Sequence, residues 1–180
     1  MKYLWRLKRL AAVSAAAVLA VSALSACGSS EQATTSEPVA TDNVLTAKYG
    51  DYVKSYTSEV TDFIDGDMDT ILNGVADIND ANYGEWKALY EKGYENAKRW
   101  YNELSAAQML CGEDDMEFHQ ELTQTVGTLY KIMEGFEDRV AAADNGDFSE
   151  LHSKAAEYKD ADTIIHSMWE KVLVDADEKF

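Results

Sequence analysis

Residues 49–78 read "YGDYVKSYTSEVTDFIDGDMDTILNGVADI". Tyr49, Val53, Tyr56, Val60, Ile64, Met68, Ile71, Val75 and Ile78 recur at spacings of three or four. All nine are apolar or aromatic, and that period is the signature of one buried helical face. The phase carries across Gly66, and a single glycine costs a helix only ~1 kcal/mol. The spacing therefore predicts one long helix over 43–79, with "DGD" at 65–67 as the place for a kink; a true break there would give five helices in all.

The rest of the chain repeats the pattern. A second helical segment, 83–108, is crowded with aromatic rings. A third, 115–143, carries the stripe Phe118, Leu122, Val126, Leu129, Met133, Phe136 and Val140. A fourth, 148–179, has Leu151, Ala155, Tyr158, Ile165, Trp169 and Val172 in phase. No alternating strand-like stretch occurs. Asn82 with Glu85, Asp114 with Glu117, and Asp147 with Glu150 each have the spacing of a capping box, in which two side chains satisfy orphan N–H groups at a helix start. "DNG" at 144–146 reads as a turn. Long helices joined by short connections run back beside one another, so the expected fold is all-α, an antiparallel up-down four-helix bundle over 43–180. Four rods place the second connection, "LCGED" at 110–114, at the same end as Phe180, and the first and third connections at the other.

Upstream of the helices, "MKYLWRLKR" carries four basic residues and no acid, and "LAAVSAAAVLAVSALSA" at 10–26 is apolar with small residues at its end. That order describes a secretory signal. The run is short and alanine-rich beside the ~20 strongly apolar residues of a spanning helix. Leu24-Ser25-Ala26-Cys27 resembles the lipobox of bacterial lipoprotein precursors. The resemblance covers residues 1 to about 27. It implies a diacylglyceryl thioether on Cys27, cleavage after Ala26, and a mature chain that begins at Cys27. Two acyl chains suffice for stable attachment, where one holds only marginally. Residues 28–42 are rich in Ser, Thr and acids, contain no large apolar side chain, and read as a flexible linker. The expected organisation is a signal peptide at 1–26, a lipidated cysteine and linker at 27–42, and an acidic helical domain at 43–180. The expected location is the extracytoplasmic face of a membrane.

Cys27–Phe180 holds 12 basic and all 33 acidic residues, a formal charge of −21. Such a surface opposes nucleic acid, whose binding needs cations to neutralise phosphates. It attracts cations and basic polypeptides. The candidate partners are therefore the membrane, through the anchor, and an envelope protein, a basic peptide or a glycan. With Cys27 acylated, Cys111 has no partner for an internal disulfide.

Signs of catalysis are absent from the motifs. The sequence holds three histidines, and none follows a glutamate at the i, i+3 spacing of a helical di-metal site. His119, Asp162 and His166 are the candidate metal or proton-handling residues, because Asp162 lies on the core phase with His166 one turn on. A metal- or haem-binding bundle is the alternative to a binding or scaffolding module. Asp65, Asp67 and Asp69 begin like a calcium loop, but Thr70 and Ala76 stand where its glycine and glutamate belong. Tyr83, Trp86, Tyr90, Tyr94, Trp100 and Tyr101 are the candidate ligand-binding residues; they form two stripes where one core face needs one. No cofactor is expected, and no enzyme motif appears.

Overall fold

The stripe at 49–78 is buried along its whole length: all nine side chains are at most 4% exposed. In the computed structural model, which describes residues 39–180 with side chains from residue 48 onward, the path beneath it is helical as far as Asp77, and Ile78 is extended. Helix α1 (Val39–Asp62) passes into a π-helical turn, Phe63–Met68, then α2 (Asp69–Asn73) and a 3₁₀ turn, Gly74–Asp77. The chain thus continues through Gly66, as the phase argues. The wider π turn is the local response to "FIDGDM": it absorbs an extra residue and brings Phe63 to the buried face beside Ile64. Helix α1 starts at Val39, inside the stretch read as linker. Cys27, the signal at 1–26 and the linker up to residue 38 lie outside the described residues.

Helix α3 (Tyr83–Ala107) buries Trp86, Tyr90, Gly93, Ala97, Trp100, Leu104 and Ala107. These alternate spacings of four and three, a narrow seam of the kind that packs one helix along another. Gly93 is the smallest residue on the seam. A Cβ there would meet Phe63 and Ile71 at 3.0 Å, so its absence lets α3 lie against the π turn.

The third and fourth segments are each interrupted. The third is α4 (Met116–Glu134) and α5 (Glu137–Ala143), separated at Gly135 and Phe136. All seven residues of its expected stripe are buried regardless. The fourth is α6 (Ser149–Ser153) and α7 (Ala155–Lys179), and not one helix over 148–179. At Lys154 (φ −104°, ψ −1°) the i→i−4 bonding lapses, its N–H donating to Leu151 O at 3.0 Å, and His152 Nε2 donates to Ile78 O at 2.8 Å, tying α6 to the end of the first segment.

The turn at 144–146 forms as expected. Gly146 has φ 81°, a left-handed conformation that costs glycine nothing. Gly146 N donates to Ala143 O at 2.9 Å and Asp147 N to Ala142 O at 3.3 Å, closing α5 with a Schellman pair.

The expected capping boxes do not form. Asn82 Oδ1 accepts from Asn79 N at 2.7 Å and its Nδ2 donates to Asp77 O at 3.0 Å, so its side chain closes the preceding turn and leaves α3 uncapped. The N-cap of α4 is Asp115, one residue past Asp114, and its side chain makes no cap hydrogen bond. Asp147 Oδ1 does take up an orphan N–H, that of Ser149 at 3.0 Å, but Ser149 Oγ supplies the second bond in place of Glu150.

No strand occurs among the described residues, and the fold is all-α. Helix α3 packs along α4, α4 along α7, and α7 against α1 and α2, while α3 also meets α2 and the π turn. Indole tips are tied into this helical bundle: Trp86 Nε1 donates to Ile71 O at 3.0 Å and Trp169 Nε1 to Thr61 Oγ1 at 2.9 Å. At one end Tyr83 OH donates to Asp144 Oδ1 at 2.8 Å and its ring lies 5.3 Å from that of Phe148. At another, Phe180 packs edge-on against Tyr49 (5.6 Å) and Phe118 (5.5 Å), and Lys54 Nζ donates to Phe180 O at 3.1 Å.

Candidate binding groove

A groove of about 410 Å³ opens between the start of α4 and the end of α7. Its walls are Asp114, Glu117 and Glu121 on one side and Asp175 and Glu178 on the other, with Lys171, Lys179 and Phe118. Helical spacing explains the set: 117 and 121 share one face of α4, and 171, 175, 178 and 179 share one face of α7. Five carboxylates thus face two ammonium groups. Both lysines bridge the helices. Lys171 pairs with Glu121 across the groove and lies 3.4 Å from Asp175; its pKa is raised chiefly by the Glu121 carboxylate. Lys179 donates to Asp114 O and reaches Asp115 Oδ1 at 3.4 Å.

Asp115 stands behind this wall. It is 1% exposed, and neither carboxylate oxygen accepts a hydrogen bond. Beside it, Tyr49 OH and His119 Nδ1 are 2.9 Å apart. Burial pushes the Tyr49 phenol well above its ordinary range and pushes the His119 imidazole down. Both groups are thereby held in their uncharged forms, joined by one buried hydrogen bond. Cys111 is half-buried, its Sγ 4.0 Å from Asp115 O, and burial pushes its thiol up.

The depressed His119 pKa sets a pH dependence. An unfolded imidazole binds a proton near pH 6.5, whereas the folded one binds it only at lower pH. The unfolded state then carries more protons over that interval, so stability is complete above about pH 6.5 and falls as the pH drops towards the folded value. Urea midpoints measured between pH 7.5 and 5.5 should fall for the native chain and fall less for His119→Gln. Equal slopes would contradict the assignment.

No protein-family model matches the chain, no curated protein matches it, and no solved structure matches it.

The other candidate residues lie elsewhere. Asp162 is 9% exposed, and its Oδ2 accepts from Asn73 Nδ2 at 3.2 Å. His166 Nδ1 bonds back to the Asp162 carbonyl at 3.0 Å and lies 3.5 Å from Oδ1. The pair joins α7 to α2 and stands apart from His119. Among the described residues no group of three or more His, Cys, Asp or Glu side chains is placed to hold a metal ion. The three aspartates of "DGDMD" diverge: Asp65 is exposed, Asp67 pairs with Lys92 at 3.0 Å, and Asp69 accepts from Asn73 at 2.6 Å.

The aromatic residues of α3 divide by depth. Trp86, Tyr90 and Trp100 are buried; Tyr83, Tyr94 and Tyr101 are half-buried at the rim of the core. Their faces are spent on one another. Tyr83, Trp86, Tyr90 and Tyr94 stack in sequence with centroids 6.2, 5.6 and 6.2 Å apart, and Tyr130 continues the row at 5.8 Å from both Tyr94 and Tyr101. Tyr101 also lies over Gly127, where a Cβ would meet its ring at 3.1 Å.

Proposed function

We propose that the protein is a lipid-anchored, extracytoplasmic binding module: an antiparallel four-helix bundle held to the membrane through Cys27, whose acidic groove takes a basic polypeptide partner. Four rods running up, down, up and down account for the packing of α3 on α4, α4 on α7 and α7 on α1 and α2. They also account for Tyr49, Phe118 and Phe180 gathering at one end.

The observation that carries the partner class is the five-to-two excess of carboxylates over ammonium groups in the α4–α7 groove. Coulomb attraction steers a basic partner to such a surface and weakens with salt as the Debye length shrinks. A sugar ligand fares worse, since sugar stacking needs an open aromatic face and the α3 rings cover each other. The membrane link rests on residues 1–27, because no helix of the described residues is long and apolar enough to cross a bilayer.

The test uses the mature chain in detergent micelles and poly-lysine as probe. Binding is expected at low salt, weakening at least tenfold between 50 and 300 mM NaCl, and weakening further in a Glu117→Gln/Glu178→Gln double variant. Binding that ignores these two carboxylates would place the partner elsewhere on the surface.

A further inference from the structure

The geometry points to Asp115 as the seat for one arginine side chain of the basic partner, with Lys179 as the internal cation that occupies that seat until the partner arrives. This inference rests on the groove reading above and makes it specific. Aspartate at a helix N-cap ordinarily accepts a backbone N–H, and a buried carboxylate ordinarily has its oxygens filled by donors. Asp115 does neither, although it is 1% exposed and sits at the N-cap of α4. Its position at the positive end of the helix dipole eases the charge, but the hydrogen-bonding capacity of both oxygens stays unspent.

Among the described residues its ion-pair partner is Lys179 Nζ, 3.4 Å from Oδ1 and without a hydrogen bond. Lys179 lines the groove, and its side chain is 30% exposed against 1% for Asp115. It is therefore the movable member of the pair. An ammonium is a point charge; a guanidinium presents a planar fork that gives two parallel N–H donors to one carboxylate. Replacing Lys179 by an arginine from the groove side would satisfy both orphan oxygens at once. The arginine stem would lie on Phe118, which lines the same groove, as long basic side chains lay their methylenes on apolar surface. Glu117 and Glu178 remain on the walls to receive the lysine that is displaced.

The experiment titrates the mature chain, in detergent micelles at fixed ionic strength, with hexa-arginine and hexa-lysine peptides. The native chain is expected to prefer arginine by about tenfold, the scale of one well-formed charge-assisted hydrogen bond. Asp115→Asn should abolish the preference while leaving the residual, salt-sensitive binding of both peptides. Lys179→Gln should strengthen arginine binding several-fold, because the competitor is gone, and change lysine binding less. Circular dichroism checks that Asp115→Asn folds; if it does not, the Lys179→Gln result decides alone, and no gain for arginine overturns the inference. An arginine preference that survives in Asp115→Asn overturns it too. Equal binding of the two peptides to the native chain overturns the seat and leaves the basic-partner reading standing, whereas no binding of either peptide overturns both.

Discussion

Phe136→Ala is expected to lower the unfolding free energy by about 3–5 kcal/mol. Phe136 is 0% exposed and sits where α4 gives way to α5. Its ring stacks on Tyr158 at 3.9 Å with 10° between planes, and lies 5.6 Å from Trp86 and 5.3 Å from Tyr90. One side chain thus joins α3, the α4–α5 break and α7. Truncation removes the ring's transfer energy and leaves a cavity walled by other rings, which are too stiff to collapse into it. Domains of this size are stable by only ~5–15 kcal/mol, so the variant should unfold at a much lower urea concentration with an unchanged slope. Met109→Ala, at a side chain 86% exposed, is the control and should shift stability by less than about 0.5 kcal/mol. A Phe136→Ala loss below about 1.5 kcal/mol would mean that α5 is not docked as described.

Gly93→Leu is the second large effect. A Cβ at residue 93 meets Ile71 Cδ1 and Phe63 Cε2 and Cζ, each at 3.0 Å. Phe63 cannot yield easily, because it packs edge-on against the buried Trp100 ring at 5.4 Å. The leucine must push α3 away from the π turn, and overpacking of this kind costs ~1–3 kcal/mol, with a whole side chain at the top of that range. Gly93→Ala meets the same three atoms with a single carbon, and both variants regain most of the ~1 kcal/mol of helix propensity that glycine lacks, so without the three further carbons its net loss should be the smaller by at least about 1 kcal/mol. Thermal melts of the two variants measure this ordering. A Gly93→Leu chain as stable as the native one would show that the α3–π-turn contact is looser than drawn.

The long first segment was legible because apolar spacing survives changes of helix type: the stripe from Tyr49 to Ile78 is buried whether a turn is α, π or 3₁₀. For the same reason the breaks at Gly135 and Lys154 were invisible, since phase persists across them. The start at Val39 had a signal in Pro38, which is favoured at the first turn of a helix, but the polar composition around it outweighed that one residue. The capping pattern misled because Asn82 has two uses for its amide and spends it on the turn before. Asp162 was placed inward by phase and is buried; His119, one position off the stripe beside Phe118, is buried more deeply than its phase indicates. The groove was not legible. Glu117 and Glu121 face Lys171 and Asp175 only once α4 lies beside α7, and that pairing is a long-range fact. Asp115 was passed over for the same reason: its neighbour Asp114 fits the capping spacing, whereas its own partner is Lys179, distant in sequence.

The intact mass of the protein taken from the membrane fraction decides whether Cys27 is the lipid anchor. The expected mass is that of a chain without residues 1–26 that carries a diacylglyceryl group on Cys27, and a Cys27→Ser chain should keep its full length and bear no lipid. A native chain of full length with a free thiol at residue 27 would contradict it.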